Sequence, residues 1–445
     1  MDYICHSEDD IKKMLEAIGV SSIDELFESV PEKVRFKGEL RLPRPMSEME
    51  LRRHFEELAC RNATDVACFA GGGCWRHFVP TLVDHLANRA EFYTAYTPYQ
   101  AEASQGTLQT IFEYQSCICE LTGMDVSNAS HYDGAAATAE AAIMLYNAQR
   151  KTKKRFVVSR TVHPEYRQTL KTYCAALDVE IVEVDYEKET GRTDAQKLKA
   201  ALDENTACVV FAQPNFFGVI EDTTLLSGIC GDAGVRFVAV VEPISLALLE
   251  PPGAYGADVA VGDGQPLGNY MSFGGPAFGF FAAKQEFLRR MPGRIAGQTV
   301  DRDGRVGYVL TFQTREQHIR REKATSNICT NQALCAMRAL IYLVAMGPKG
   351  LREVAEHCLQ KAHFAAELLK DRGVELRFSA PFFKEFVVRV EEPQKTIKRL
   401  LNEHKILVGP PLSAWFPELA DCLIVAVTES NSREEIERLA DALAG

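Results

Sequence analysis

The sequence predicts a doubly wound α/β fold with a mostly parallel sheet and a smaller C-terminal α+β domain. Short apolar runs alternate with amphipathic helical stretches from about Asp65 to Pro292. The runs are continuously apolar instead of alternating, which is typical of strands buried on both faces of a parallel sheet. The clearest runs are Arg155 to Ser159, Val179 to Val184, Ala207 to Ala212, Arg236 to Val241 and Ala257 to Gly262.

The chain of 445 residues is too long for one ordinary core, and its patterns divide it into three parts. Residues 1–64 are predicted to form a helical arm, and residues 65–325 the large α/β domain. Residues 326–445 are predicted to form the small α+β domain. This last part is predicted to contain a long helix from Ser326, a second helix from Leu351 to Arg372, and strands around Phe383 to Val390 and Asp421 to Glu429.

Each helix of the predicted arm opens with a capping pattern. Ser7, Ser22 and Ser47 each precede an acidic residue by three positions. A serine hydroxyl and an acid at this spacing can satisfy the free backbone amides of a first helical turn. We therefore expect three helices in this part of the chain, joined by a proline-punctuated linker.

The composition excludes several classes of function. The formal net charge of −11 argues against nucleic acid and anionic membranes as partners. The first residues have neither the basic start nor the apolar stretch of a signal peptide, so we expect a cytoplasmic protein. The 13 cysteines are scattered without a Cys-x-x-Cys pair. This pattern favours reduced thiols and predicts no metal site.

A long interval without lysine separates this chain from enzymes of similar architecture. Many doubly wound enzymes hold pyridoxal phosphate (PLP) through an imine to a lysine side chain. No lysine occurs from Ala200 to Ala283, and the expected strand and turn fall within Ala257 to Gly279. The turn carries Gln265, and a glutamine amide cannot form an imine. The sequence therefore predicts PLP-enzyme architecture without a covalently bound cofactor.

Three further residues occupy positions where a cofactor site would be expected. Thr138 lies in an alanine-rich helical start that could face a phosphate, although helix packing is the better explanation of this segment. His163 follows a strand and could stack on a cofactor ring, or it could be structural. Glu242 ends a buried strand and could pair with a pyridine nitrogen, where aspartate is usual. We interpret Thr138, His163, Glu242 and Gln265 as a degraded cofactor site.

A tyrosine-rich loop is the second candidate site. Phenols, amides and a carboxylate precede a helix for which Ser104 is the expected N-cap, and together they could form the wall of a polar ligand pocket. The alternative is a loop whose tyrosines pack over the core. The candidate residues of this tyrosine loop are Tyr93, Tyr96, Tyr99, Gln100, Glu102, Ser104 and Gln105.

Two other segments carry weaker signals. The glycine run within Phe69 to Pro80 could present backbone amides to an anion, or it could form a tight turn needed for packing. Arg320 and Arg321 could bind a carboxylate or a partner. Solvated charge at a domain boundary is the alternative reading of these two arginines.

At these segments the chain closely resembles the glycine dehydrogenase (decarboxylating) family, the P-proteins of the glycine cleavage system. Within that family it is most similar to subunit 1, the N-terminal half of the form that is split over two polypeptides. The likeness covers essentially the whole length. It rests on Ile18 to Phe27, on GGGCWRHFVP ending at Pro80, on the tyrosine loop, on the FEYQ and LTGM that follow it, and on REKATSNICTNQAL beginning at Arg321.

The resemblance implies a fold-type-I PLP-dependent transferase architecture and an α2β2 heterotetramer. Subunit 2 would bind PLP through its own lysine, decarboxylate glycine and pass the aminomethyl group to the lipoamide of the H-protein. The present chain would bind no cofactor covalently, would be inactive alone, and would offer its tyrosine loop to the active site of subunit 2. The positions carried over from the family for this contact are Tyr96, Tyr99, Gln100 and Ser104.

Two alternatives remain open from the sequence. The chain could be a self-sufficient PLP enzyme that uses an unexpected lysine such as Lys284, the first lysine after the long interval. It could also be a purely structural or regulatory subunit that never reaches the active site of its partner.

Overall fold

The computed structural model of the protein describes residues 5–38 and 40–445. Its contacts divide the chain into two compact units, Met1–Thr64 and Asp65–Gly445. The helices are α1 (Glu8–Ile18), α2 (Glu48–Ala59), α3 (Thr81–Ala87), α4 (Ala90–Tyr93), α5 (Gln105–Thr122), α6 (Gly134–Ala148), α7 (Pro164–Cys174), α8 (Ala195–Ala201), α9 (Thr223–Asp232), α10 (Gln317–Arg320), α11 (Ala333–Asp371), α12 (Pro393–His404) and α13 (Arg433–Ala444). The strands are β1 (Ala67–Ala70), β2 (Val126–Ser127), β3 (Arg155–Ser159), β4 (Glu180–Val184), β5 (Thr206–Gln213), β6 (Arg236–Val241), β7 (Val259–Asp263), β8 (Gly279–Ala283), β9 (Ile295–Val300), β10 (Val306–Thr311), β11 (Glu385–Arg389), β12 (Ile406–Gly409) and β13 (Cys422–Ala426).

The N-terminal unit contains two α-helices with the predicted capping boxes. Ser7 caps α1 and Ser47 caps α2, each in a reciprocal pair with the acid three positions on. The capping predicted at Ser22 is wrong, because its side chain makes no capping bond. Ser21 binds Glu25 instead, with its backbone amide 3.2 Å from the carboxylate, at a short 3-10 helix.

The second unit is built on a seven-stranded sheet with the order β2-β8-β7-β6-β5-β3-β4. The pairs from β4 to β7 are parallel, and β8 and β2 join antiparallel at one edge. All eight residues of β5 are buried. This two-sided burial explains why the strands read as unbroken apolar runs. The predicted doubly wound α/β fold is confirmed.

Successive residues of the central strands supply two cores, one on each face of the sheet. Val209 and Phe211 pack in the first core with residues of α5, α9 and α11. Cys208 and Val210 pack in the second core with residues of α6 and α7. Because side chains alternate along a strand, β5 contributes to both helical layers.

The C-terminal part of this unit has its own core around β11 and β13, which pair antiparallel. β1 pairs in parallel with β12, so that Ala67 lies opposite Ile406 and Phe69 opposite Val408. The residues that follow the arm are therefore strand partners of residues more than 300 positions later. The predicted boundary between residues 325 and 326 stays a prediction.

The helix predicted to begin at Ser326 begins seven residues later, at Ala333. Ser326 does not cap it, because its hydroxyl donates to Glu140 at 2.8 Å and accepts from the amide of Ile328 at 3.1 Å. The two helices predicted in this region form the single element α11, which is interrupted at Gly347 (φ 61°, ψ 178°). Pro348 follows the interruption and has no amide to continue the helical ladder.

Among the described residues, α11 is the one helix whose length and apolar composition would suffice to cross a membrane. Helices in the core of a soluble protein pass the same test, and 44% of the apolar window of α11 is buried inside the chain. Its buried residues include Ala339, Tyr342 and Ala355 in the first core.

Candidate functional site

The carboxyl ends of β5, β6 and β7 meet the segment formed by residues 69–80 and the start of α6. Ligands of doubly wound proteins bind at this edge of the sheet. An inner cavity of about 70 Å³ includes Glu242 and Lys384 in its lining. An outer cleft of about 440 Å³ includes Gln265, and His163 and Asp263 line both spaces. The structure thus brings three predicted site residues, His163, Glu242 and Gln265, to one place.

Gln265 is buried, with 2% of its surface exposed, and its amide is fully engaged. Its Oε1 accepts from the backbone amide of Trp75 at 3.0 Å, and its Nε2 donates to the carbonyl of Trp75 at 3.0 Å. Nε2 also donates to the carbonyl of Asn269 at 2.8 Å. Gln265 therefore binds the segment of residues 69–80 at two points, which requires both a donor and an acceptor.

The N-terminus of α6 is occupied by two carboxylates of the chain itself. Asp133 caps the helix by accepting from the amide of Ala136 at 2.6 Å. Asp263 accepts from the amide of Gly134 at 3.2 Å and from the amide of Gln265 at 2.9 Å. A helix N-terminus attracts anions, and here the anions are side chains.

These two carboxylates take up backbone amides of α6 to which a cofactor phosphate could otherwise bind. Thr138, for which the sequence favoured helix packing over a phosphate contact, is buried and donates its hydroxyl to the carbonyl of Gly134 at 2.8 Å, within its own helix. Burial raises the pKa of Asp263 to about 6, with a further contribution from the charge of Asp133. A phosphate brought to the same amides would meet both carboxylates and would be repelled.

Glu242 lies directly after β6 and is paired with a lysine that the sequence analysis did not single out. Its carboxylate accepts from the amides of Ile244 at 3.2 Å and Ser245 at 2.7 Å. The ammonium of Lys384 donates to Glu242 Oε1 at 2.9 Å. Lys384 precedes β11 and has a 2% exposed side chain. A protonated pyridine nitrogen brought to Glu242 would meet this positive charge and would be repelled.

A chain of buried polar groups continues behind Lys384. The ammonium donates to His77 Nε2 at 2.8 Å, and His77 Nδ1 lies 2.7 Å from Glu429. Burial, and then the charge of Lys384, lower the pKa of His77. The ring is therefore neutral, with its proton on Nδ1. Burial alone would raise the pKa of Glu429, but hydrogen bonds from His77 and from the backbone amide of Phe78 lower it below its ordinary value.

His77, Cys358 and Glu429 have ligand atoms within 4.8 Å of one another, a spacing that could hold a metal ion. The three groups are already bonded in the structure, since the thiol of Cys358 donates to Glu429 at 3.3 Å. The ammonium of Lys384 beside His77 adds a positive charge that opposes a cation. The sequence-based expectation of no metal site stays a prediction.

His163 stacks against side chains of the chain itself. Its Nε2 donates to the carbonyl of Gly72 at 2.7 Å, and its Nδ1 accepts from the amide of Glu165 at 3.2 Å. The centroid of its ring lies 4.9 Å from that of Tyr166 and 4.7 Å from that of Phe216. Burial lowers the pKa of His163. Like Gln265, it holds the glycine run in place.

The tyrosine loop lies on the surface and is fixed at only some of its residues. Tyr96 is 76% exposed, whereas the hydroxyl of Tyr99 accepts from Arg294 at 2.7 Å. Gln105 binds both the carbonyl and the amide of Tyr308 in β10 at 2.9 Å. Ser104 precedes α5 as predicted, but its side chain makes no capping bond. The other predicted loop residues, Tyr93, Gln100 and Glu102, are exposed.

The segment that contains Arg320 and Arg321 runs on to meet the tyrosine loop. Both arginines are exposed, and Arg320 donates to the carbonyl of Thr314 at 3.0 Å. Further along, the hydroxyls of Thr330 and Thr97 lie 2.7 Å apart. The structure therefore joins two of the segments that carried the family resemblance, through residues other than the two arginines.

The residues at the strand ends do not fit PLP. The turn after β7 offers the amide of Gln265, the start of α6 offers the carboxylates of Asp133 and Asp263, and Glu242 faces Lys384. Each of these groups has its partner inside the chain. No chemical step at this site can be assigned to the cofactor.

The fold defines the class of protein to which the chain belongs, the fold-type-I architecture of PLP-dependent enzymes. The structure of a sphingosine-1-phosphate lyase from Burkholderia pseudomallei matches with a TM-score of 0.65 over 93% of both chains. A cysteine desulfurase from Thermococcus onnurineus matches with a TM-score of 0.63 over 85% of this chain and 94% of its own. Sequence identities of 15% and 16% limit these likenesses to the fold.

The particular family follows from closer matches, and the chain belongs to the glycine cleavage system P-protein family. The sequence model of that family matches residues 1–443. The probable glycine dehydrogenase (decarboxylating) subunit 1 of Carboxydothermus hydrogenoformans is 52% identical over 100% of both chains. The protein of the same name from Moorella thermoacetica is 52% identical over 100% of this chain and 99% of its own.

A crystal structure of glycine decarboxylase (P-protein) of the glycine cleavage system, in inhibitor-bound form, matches with a TM-score of 0.90. It is 41% identical and covers 100% of this chain and 99% of its own. The predicted family, the fold class and the likeness to subunit 1 of a two-subunit enzyme are confirmed.

Proposed function

We propose that this chain is the subunit of a glycine-cleavage P-protein that binds no PLP covalently, and that subunit 2 carries the cofactor. The observation that carries the proposal is the amide of Gln265, which stands in the turn after β7 and is bonded to Trp75 and Asn269. A side chain without an amine cannot hold PLP as an imine. The carboxylates at α6 and the ammonium beside Glu242 support the same conclusion.

In the proposed α2β2 complex, PLP on subunit 2 supplies the electron sink for the loss of CO₂ from glycine. The aminomethyl group then passes to the lipoamide of the H-protein. The present chain contributes walls and orientation to that active site and shields it from water. Its role is thus to complete a pocket whose reactive group belongs to the partner.

The tyrosine loop is the part of the chain that we propose contacts the active site of subunit 2. Arg294 holds the phenol of Tyr99 by a hydrogen bond of 2.7 Å, with its guanidinium carbon 5.2 Å from the ring centroid. Gln105 fastens the end of the loop to β10. Gln100 is exposed between the fixed residues Tyr99 and Gln105, and Tyr96 is exposed just before Tyr99. Groups held by such supports suit a site that must be preorganised.

Reconstitution tests the proposal. The isolated chain should not exchange labelled bicarbonate into glycine, and exchange should appear when subunit 2 is added. Borohydride reduction of the active complex, followed by peptide mapping, should place the pyridoxyl-lysine in subunit 2. Full exchange by this chain alone, or a pyridoxyl-lysine within it, would refute the proposal.

The structure argues against Lys284 as a cofactor lysine. Its ammonium donates to Asp258 at 3.0 Å and to the carbonyl of Gly256 at 3.0 Å. Asp258 precedes β7, whereas Glu242 and Gln265 follow the parallel strands. Lys284 therefore lies at the amino ends of the parallel strands, whereas the candidate site lies at their carboxyl ends.

A purely structural subunit is the second candidate, because Tyr93 and Tyr96 lie exposed at the surface. Replacing Tyr99 by Phe, or Gln100 by Ala, in the reconstituted complex separates the two functions. If the loop contacts the active site, each variant should exchange bicarbonate roughly tenfold more slowly than the wild type. This factor corresponds to the loss of one hydrogen bond to a charged group. Tyr173→Phe, a change at an exposed tyrosine on α7, is the matched control. Unchanged rates in both loop variants would favour the structural role.

A further inference from the structure

Lys384 is bound by its surroundings as an ammonium ligand would be. Lysine is almost never fully buried without a partner, and this side chain is 2% exposed. Its three N–H groups face a carboxylate oxygen of Glu242 at 2.9 Å, the Nε2 of His77 at 2.8 Å and the ring of Trp75, whose centroid is 4.0 Å away. A carboxylate, a neutral imidazole and an aromatic face together satisfy a primary ammonium.

The three receptors are held in place by contacts that do not involve Lys384. The backbone amides of Ile244 and Ser245 orient Glu242. The carboxylate of Glu429 orients His77 and keeps its Nε2 free of a proton. The backbone of Trp75 is clamped by Gln265. A receptor geometry that is supported from behind persists when the ligand is taken away.

We propose that Glu242, His77 and Trp75 form a binding site for a primary ammonium group, which the chain fills with its own Lys384. Through this contact Lys384, at the start of β11, joins the C-terminal sheet to the end of β6 and to residues 69–80. The variant Lys384→Ala keeps Glu242, His77 and Trp75 in place. Its shorter side chain leaves a space of three carbons and one nitrogen. That space matches n-propylammonium, and the adjoining cavity of about 70 Å³ gives it room.

Thermal unfolding of Lys384→Ala with and without n-propylammonium tests the proposal. Loss of the buried cation should lower the melting temperature by roughly 5 °C, because Glu242 is left unpaired. Roughly 100 mM n-propylammonium should restore part of this loss, and the gain should grow with the logarithm of the ligand concentration. The wild-type chain, Lys384→Met, and the neutral analogue 1-propanol should show no such rescue. An equal response of the wild type, equal rescue by 1-propanol, or no fall in melting temperature would overturn the proposal.

A second measurement covers the case in which Lys384→Ala does not fold. The chain has two tryptophans, so Trp415→Phe leaves Trp75 as the single indole fluorophore. Adding Lys384→Met to that background removes the charge next to the ring and should shift the emission maximum. The double change Glu242→Gln with Lys384→Met should lower the melting temperature by less than the sum of the two single changes. Unchanged emission, or additive losses, would overturn the ammonium site.

Discussion

Replacing Gln265 by Met tests whether this side chain is the clamp that holds residues 69–80. Methionine conserves volume and fits an irregular core, so packing changes little. The variant loses the three hydrogen bonds of the amide, two with Trp75 and one with Asn269. Gln265, Trp75 and Asn269 are all buried, at 2%, 7% and 4% exposure. Their freed backbone groups would therefore stay without water.

The magnitude follows from these three groups. Leaving a buried donor or acceptor unpaired costs about 1–3 kcal/mol, which gives a loss of roughly 3–6 kcal/mol when partial relaxation is allowed. The unit Asp65–Gly445 has about 380 residues, so its unfolding entropy is roughly 0.8 kcal/mol per kelvin. The melting temperature of Gln265→Met should therefore fall by roughly 4–8 °C.

Differential scanning calorimetry of the wild type and of Gln265→Met measures this fall. Hydrogen exchange shows which backbone amides lose protection. The amide of Trp75 should lose most of its protection, whereas amides in the middle of β5 should not. Gln109→Met is the matched control, since Gln109 is exposed on α5 and bonds only Glu113, at 2.8 Å. The reasoning is refuted if Gln265→Met and the control melt within about 1 °C of each other.

Two further predictions concern burial and close packing. The pKa of Asp263 in the fold, about 6, lies above its ordinary value, so protonation stabilises the fold at low pH and this contribution is lost as the pH rises through about 6. Asp263→Asn should therefore show a smaller fall in melting temperature from pH 5 to pH 7.5 than the wild type, and an identical fall would contradict the assignment. Gly218→Ala should be strongly destabilising, because φ is +81° and the new Cβ would lie 2.0 Å from the carbonyl oxygen of Glu385. Gly228→Ala in α9, with nothing within 4 Å of its Cβ, should instead raise the melting temperature, and similar melting of both alanine variants would refute the packing argument.

The central sheet could be predicted from the sequence because its signal is local. Arg155 to Ser159 and Arg236 to Val241 were predicted and observed with the same bounds, and the other three strands predicted for this sheet differ by at most two residues at either end. A strand buried on both faces needs an unbroken apolar run, which is visible without knowing its neighbours. The start of α11 was predicted wrongly because Ser326 binds Glu140, a residue 186 positions earlier. A capping pattern carries no information on such a competing partner.

The candidate site could be predicted where the sequence lacks an expected residue, the lysine of the turn after β7. It could not be predicted where a side chain from a distant part of the chain, Lys384, enters the site. The lysine-free interval and Gln265 were visible in the chain. Lys384 lies in a run predicted as a strand, in a part of the sequence that carried no site signal. A lysine shortly before the apolar centre of a strand, Phe386 to Val388, was the available clue. Its pairing with Glu242 spans 142 positions and depends on how two sheets pack.

Three side-chain contacts join different elements at the strand ends. Gln265 joins the turn after β7 to Trp75, Lys384 joins β11 to Glu242, and Asp263 joins β7 to the start of α6. A cofactor links the corresponding elements only while it is bound, so an enzyme that depends on it can loosen when it leaves. Side-chain contacts act at all times. Under the proposed function, in which the chain presents a fixed wall to a neighbouring active site, contacts of this kind would hold that wall in place without a ligand.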